Sequence, residues 1–133
     1  MATRHQAREA VIGLLYAKDL GNDSIDKFVD DIFEDKKIRN KQKEFALSLY
    51  NGVKENLDEI DKALDKHLKE WDIKSIGNIE RAILRLGAYE ILYSDLDSAV
   101  VINEAIELAK RLCNDTGPKF INGVLDAVRK EKS

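Results

Sequence analysis

Apolar residues recur at three- and four-residue spacing along almost the whole chain. This period is typical of amphipathic α-helices, and no segment shows convincing strand alternation. The first stripe runs from Thr3 to about Asp19 and consists of Ala7, Val11, Leu14 and Leu15. The Gly-Asn-Asp sequence after it is typical of a turn and ends the helix. The pattern predicts an all-α fold that begins with this helix.

A short second helix is predicted after that turn. Ser24 is a suitable N-cap, because its side-chain oxygen can accept a hydrogen bond from a free backbone N–H of the first turn. The expected apolar face consists of Ile25, Phe28, Val29 and Ile32. Acidic residues occupy the opposite face, and the basic stretch Lys36–Lys43 follows directly. Such charge runs most often form solvated helix faces, so neither run identifies a partner.

The next apolar stripe is unusually long. It begins at Phe45, continues through Leu68 and reaches Trp71. Roughly thirty residues exceeds the usual length of a helix in a globular protein. We therefore expect a break or a bend between Gly52 and Leu57.

The segment 79–93 is apolar nearly all round, as expected for a helix that other helices surround. A buried charge without a partner is costly, so its charged residues need partners. We expect Arg85 to form a structural ion pair. Glu80 and Arg81 lie nearer the start of the helix and are expected to be surface groups available to a partner. Asp97 is predicted to cap the helix that follows.

The predicted last helix contains Asn122 and Gly123 side by side, a pair that normally marks a turn. Pro118 suits an early helical position, and the free N–H groups of this helix end attract anions such as phosphate. Two explanations of Gly123 are open. Glycine keeps the surface bare for an anionic ligand, or it allows a neighbouring helix to approach closely. The residues alone slightly favour close packing.

Basic side chains at the start of the first helix are a second candidate for anion binding. Arg4 and Arg8 are one helical turn apart, where like charges repel slightly, and His5 lies beside them. An external anion would relieve that repulsion.

Composition favours a single soluble binding domain over residues 1–133. The chain has one cysteine, Cys113, which excludes an intramolecular disulfide and is expected to be a small buried hydrophobe. His5 and His67 do not form a metal-ligand motif, and no catalytic or cofactor motif is present, so we expect neither an enzyme nor a cofactor. No apolar signal core or membrane span is apparent, and a cytoplasmic protein is expected. The net charge of −3 argues against nucleic-acid binding without a partner.

Four motifs together resemble one known family. They are ARxAxxxLLYxxD from Ala7 to Asp19, IERAILRLGAYEIL from Ile79 to Leu92, VINEAIELAK from Val101 to Lys110 and KFINGVLD from Lys119 to Asp126. In this order, from the first helix to the last, the sequence resembles the NusB family of bacterial transcription antitermination factors. The last two motifs carry most of the specificity.

The resemblance implies an all-helical fold of about six to seven helices in two small packed bundles. It implies a heterodimer with NusE, a protein of the small ribosomal subunit, that binds boxA RNA of ribosomal RNA operons. That heterodimer would join NusA and NusG on RNA polymerase, so that transcription passes termination signals. A partner agrees with the net charge, because a basic second subunit would add RNA affinity. A monomer and a homodimer of the free protein are both compatible with the sequence.

The resemblance also implies site residues. The implied RNA-binding residues are Arg4, His5, Arg8, Lys119, Phe120 and Asn122, and the implied partner-binding residues are Glu80 and Arg81. The arginine run at the N-terminus is sparser than in many family members, and the acidic second helix has no role in the resemblance. An alternative function is a protein-binding helical adaptor without RNA contacts of its own. A relative of the similar domain fused to ribosomal RNA methyltransferases would need a cofactor-binding Rossmann pattern, which does not follow in this sequence.

Overall fold

The computed structural model describes residues 2–69 and 71–132, and these residues contain seven α-helices, one 3-10 helix and no strand. The α-helices are α1 (Arg4–Asp19), α2 (Val29–Asp35), α3 (Asn40–Glu55), α4 (Leu57–Asp65), α5 (Asn78–Tyr93), α6 (Ser98–Leu112) and α7 (Gly117–Lys132). The 3-10 helix spans Asp23–Phe28. The prediction of an all-α fold is confirmed. The chain divides into two compact units, Met1–Gly52 and Val53–Ser133, with the boundary inside α3.

In the first unit, α1 begins at a capping box. The Thr3 side chain accepts a hydrogen bond from the Gln6 backbone N–H at 3.1 Å, and the Gln6 side chain accepts one from the Thr3 N–H at 2.9 Å. These two bonds satisfy N–H groups that the helix itself leaves free. The predicted apolar stripe of α1 is buried, so the first helix and its inward face are as expected.

The second predicted helix differs from the expectation. Its first part is the 3-10 helix, and the Ser24 hydroxyl donates to Asn22 Oδ1 at 2.9 Å instead of capping a helix. Phe28, expected in the core, is 51% exposed, whereas Phe33 is fully buried. A tertiary contact explains the difference, because the Tyr50 hydroxyl on α3 donates to Asp26 Oδ1 at 2.5 Å.

Asp26 is also the partner of a lysine, and this cluster fixes the 3-10 segment within the first unit. Lys18 Nζ lies 2.6 Å from Asp26 Oδ2, and this hydrogen bond raises the pKa of Lys18. Burial, reinforced by the hydrogen bond to Asp26, raises the pKa of the Tyr50 phenol. One carboxylate thus satisfies a buried hydroxyl and an ammonium group together.

In the second unit, α5 packs against α4, α6 and α7, which explains why its sequence is apolar nearly all round. A Cβ atom at Gly87 would lie only 2.7 Å from Leu125 Cδ1, so glycine permits the close approach of α5 and α7. The predicted break in the long stripe is confirmed, since α3 ends at Glu55 and α4 begins at Leu57. Asp97 Oδ1 accepts from the Ala99 N–H at 3.0 Å, as a cap of α6 should.

The predicted structural pairing of Arg85 is also confirmed. Its Nε and Nη2 atoms donate to the two carboxylate oxygens of Asp61, each at 2.9 Å, so α5 and α4 share a bidentate ion pair. Both side chains are largely shielded from water, with exposed fractions of 11% for Arg85 and 20% for Asp61. The planar guanidinium matches the carboxylate geometry, which a lysine could not do.

Candidate nucleic-acid interface

The first candidate cluster lies at the start of α1, in the first unit. The guanidinium carbon of Arg4 lies 4.5 Å from the ring centroid of Phe45 on α3, and that of Arg8 lies 5.1 Å from it. An aromatic face carries partial negative charge and attracts cations at these distances. The ring therefore relieves part of the repulsion between the two arginines without an external anion.

The two arginines differ in exposure. Arg4 is exposed, His5 is half-buried, and Arg8 is only 4% exposed. Arg8 is therefore not an open surface group, because its side chain faces inward onto Phe45. The implied RNA contacts of Arg4, His5 and Arg8 stay predictions, and Arg4 is the cation of this cluster that solvent reaches most readily.

The second candidate cluster lies in the second unit, around a cavity of about 670 Å³. Residues from the connection between α4 and α5 and from α7 line it: Lys66, His67, Leu68, Lys69, Trp71, Lys119, Phe120, Gly123, Val124 and Ala127. We call it the basic–aromatic cavity. Two of the three implied RNA-binding residues of α7, Lys119 and Phe120, thus share one wall, while Asn122 is exposed but does not line the cavity.

Gly123 is part of that wall, and its surroundings decide between the two explanations of the Asn-Gly pair. A Cβ atom at this position would find no atom within 4 Å outside its own helix backbone and chain neighbours. The explanation by close helix packing is therefore wrong for Gly123, although it describes Gly87. Glycine at position 123 leaves open space beside Lys119 and Phe120, and a longer side chain would project over this surface.

Arg81 lies elsewhere than expected. It is 7% exposed, and its guanidinium donates to the carbonyl oxygens of Ile73 (2.7 Å), Lys74 (2.8 Å) and Ile76 (3.0 Å). A fourth bond, of 2.6 Å, reaches Asn78 Oδ1. The expectation of a surface group is wrong, because Arg81 satisfies carbonyls of the connection between α4 and α5. It positions the segment that follows Trp71.

Glu80, the other implied partner-binding residue, is half-buried and lies beside Cys113. Burial, followed by the charge and hydrogen bonding of Glu80, raises the pKa of the Cys113 thiol to about 12. Cys113 is half-buried, so the expectation of a buried side chain is only partly met. The raised thiol pKa lowers its reactivity, because the thiolate is the reactive form. Glu80 also lines a second cavity of about 420 Å³, together with Trp71 and Phe120.

Comparison with known proteins agrees with the all-helical fold. The sequence model of the NusB family matches residues 5–130. The chain belongs to the NusB family. It is 69% identical to the transcription antitermination protein NusB of a Nitratiruptor species over 131 residues, which cover 98% of this chain and 94% of that protein.

Two solved NusB structures are similar to the chain. The structure of T. maritima NusB has a TM-score of 0.89 and 34% identity, over 98% of this chain and 92% of that one. The crystal structure of the antitermination factors NusB and NusE in complex with double-stranded RNA has a TM-score of 0.85 and 32% identity, covering 96% of each chain. The all-helical NusB architecture extends over almost the whole sequence.

Several residues of the two clusters are not indicated by the sequence pattern of this NusB-family chain. Trp71, Lys66 and Lys69 line the basic–aromatic cavity. The ring of Phe45 contacts the guanidinium groups of both arginines of α1. The helical period places Trp71 and Phe45 only in an apolar stripe. The available signal was the position of Trp71 at the very end of that stripe, among lysines, where a core tryptophan is unusual.

Two absences among the described residues bear on other functions. No helix among them is both long and apolar enough to cross a bilayer. Within the same ranges, no group of three or more His, Cys, Asp or Glu side chains is placed to hold a metal ion.

The thiol of Cys113 provides a direct test of the geometry around Glu80. At pH 8 we expect native Cys113 to react with iodoacetamide at least about 100-fold more slowly than the unfolded chain, because the thiolate is the reactive form. Glu80→Gln should accelerate the native reaction, since a negative charge that disfavours the thiolate is removed. Mass spectrometry is unambiguous here because the chain has one cysteine. Equal rates for native and unfolded protein would contradict the placement of this thiol.

Proposed function

We propose that the protein is a transcription antitermination factor that binds boxA RNA of ribosomal RNA operons as a heterodimer with NusE. The heterodimer would join the antitermination complex on RNA polymerase, together with NusA and NusG. The observation that carries the proposal is the similarity, over almost the full length of the chain, to a NusB that was crystallised with NusE and RNA. The charge distribution of the chain and its basic–aromatic cavity supply further support.

The charges of the chain favour RNA binding with a partner. The net charge is −3, so the electrostatic attraction that dominates binding to phosphates is weak for the chain as a whole. Local cations are nevertheless present: Arg4 is exposed on α1, and Lys119 is exposed at the start of α7. A basic second subunit would add the missing attraction, and these local cations would position the RNA.

The basic–aromatic cavity favours single-stranded RNA as the ligand. Proteins that hold single strands combine cations for the phosphates with aromatic rings on which unstacked bases lie. Lys119 and Phe120 supply both kinds of group within one helical turn, and Gly123 keeps the adjacent surface bare. An adaptor that binds only protein would not need this combination.

The test is a binding titration of short single-stranded boxA RNA across a salt series, with the protein alone and with NusE. A scrambled RNA of equal length serves as the control. We expect tighter, sequence-selective and salt-sensitive binding in the presence of NusE. Lys119→Gln should reduce the steepness of the log–log salt dependence by about 0.7, the value for one phosphate contact on a single strand.

A matched control distinguishes a phosphate contact of Lys119 from the general effect of removing one positive charge. Lys110→Gln removes an exposed lysine of α6, which pairs with Glu107 at 3.4 Å, and should leave the salt dependence unchanged. If boxA and scrambled RNA bind equally weakly with and without NusE, the proposal fails. The helical adaptor would then be the better account, provided that NusE still binds.

A further inference from the structure

Trp71 is placed where a tryptophan gains little from folding. It is 58% exposed, the largest exposed fraction among the large hydrophobic side chains of the described residues. A tryptophan usually buries a large apolar area, and an exposed one is typical of a binding surface. Its segment is held firmly nearby, because the carbonyls of Ile73, Lys74 and Ile76 accept hydrogen bonds from Arg81. The indole is therefore exposed just before a hydrogen-bonded segment.

A second aromatic ring lies in the same surroundings. Trp71 and Phe120 both line the basic–aromatic cavity, and both also line the second cavity, which Glu80 and Thr116 border. The two rings come from different elements, the connection after α4 and the first turns of α7. The volume of about 670 Å³ falls in the range of about 300–1,000 Å³ that is usual for small-ligand sites.

The charges around the cavity favour an anionic chain. Lys66 Nζ and His67 Nε2 lie 3.0 Å and 2.6 Å from the carboxylate oxygens of Glu131, so this part of the rim is internally compensated. Lys66, followed by His67, lowers the pKa of Glu131, which keeps the carboxylate ionised. By contrast, Lys69 and Lys119 have no ion pair within residues 2–69 and 71–132. These two ammonium groups supply the uncompensated charge of the rim.

We propose that the basic–aromatic cavity holds one unstacked RNA base against Trp71 and Phe120, with the flanking phosphates at Lys69 and Lys119. The inference rests on the proposed function and adds to it a base-binding site that Trp71 completes. An exposed aromatic ring can stack on any base face, and two uncompensated lysines attract the phosphates on either side. The part of the RNA surface on this chain thus extends from α7 to the connection after α4.

The test uses the emission of Trp71, which is the only tryptophan of the chain and therefore reports on this cavity alone. The protein is titrated with boxA RNA, with NusE present and absent, and with RNAs in which one position at a time is abasic. NusE alone provides the reference for any tryptophan of its own and for direct effects on Trp71. We expect RNA to quench the emission, and one abasic position to abolish most of that quenching.

The RNA affinities of substituted proteins test the same base site independently. Trp71→Ala is expected to weaken boxA binding about 5- to 150-fold, the usual effect of losing one base–aromatic stack, while Trp71→Phe retains most of the affinity. Gly123→Leu should also weaken binding and reduce quenching, because its side chain projects over the open surface. Tyr93→Ala is the control, because Tyr93 is 47% exposed on α5 and does not line this cavity. Circular dichroism shows that each variant is folded.

The outcomes separate this inference from the proposed function. If boxA RNA binds selectively with NusE while Trp71 emission stays constant and Trp71→Ala binds like the wild type, the base site is wrong and the proposed function stands. If NusE alone quenches Trp71 and RNA adds nothing, the cavity is a protein contact and the inference is also wrong. If no selective RNA binding occurs with or without NusE, the proposed function is wrong, and the base site is wrong with it.

Discussion

Replacement of Arg81 by methionine is expected to lower the free energy of unfolding by about 3–5 kcal/mol. The guanidinium is 7% exposed and donates to three backbone carbonyls and to Asn78 Oδ1. Methionine has a similar length but no donor, so it leaves several shielded oxygens without partners. Each unsatisfied buried group costs about 1–3 kcal/mol, which explains the size of the expected effect.

Urea unfolding followed by circular dichroism measures this loss. Arg81→Lys should recover only part of it, because one ammonium group cannot reproduce the planar fork of donors that reaches four oxygens. Arg129→Met is the control, because Arg129 is an exposed arginine of α7 paired with Asp126, and its loss should change stability by less than about 0.5 kcal/mol. An unchanged midpoint for Arg81→Met combined with weaker NusE binding would contradict the structural role and support a partner contact of Arg81.

Two glycines of α7 are expected to respond to alanine with opposite signs. At Gly117 an added Cβ would lie 2.5 Å from the Cβ of Cys113, which cannot move without its backbone, so Gly117→Ala should destabilise the protein by about 1–3 kcal/mol. At Gly123 the added methyl group meets open space inside a helix, so Gly123→Ala should stabilise it by about 0.5–1 kcal/mol.

Thermal unfolding of the two variants against the wild type measures both signs at once. For a chain of this size we expect shifts of about 3–5 °C per kcal/mol, downward for Gly117→Ala and upward for Gly123→Ala. Each variant is the control for the other, because both make the same chemical change in the same helix. Destabilisation by Gly123→Ala would show that this position is packed after all.

The parts of the fold that were predicted correctly depend on neighbours in the sequence. Helical period identified the helices, the excessive length of one stripe identified the break between α3 and α4, and Asp97 identified the start of α6. The pairing of Arg85 was predicted from the free-energy cost of burying a charge without a partner, because this arginine lies in an apolar helix. Its partner Asp61 was not predicted, because 24 positions separate the two residues.

Two of the errors share one physical cause, a contact between residues far apart in the chain. Ser24 resembles a helix cap, yet the bond from Tyr50 to Asp26 holds that segment in a 3-10 helix and leaves Phe28 exposed. Arg8 resembles a surface cation, yet the ring of Phe45 covers it. Local propensity is a weak prior wherever such a tertiary contact is available.

The sequence by itself determined the all-α class, the order of the helices, the family resemblance and the residues of α7 that are implied in RNA binding. It did so because helical period, capping residues and motifs are properties of neighbouring positions. Only the tertiary structure decided that Gly123 borders open space and that Arg81 is buried. It also brought Trp71 beside the cavity of Lys119 and Phe120. These features depend on which surfaces meet when α4, α5 and α7 pack. A local sequence pattern does not specify which residues of different helices come into contact.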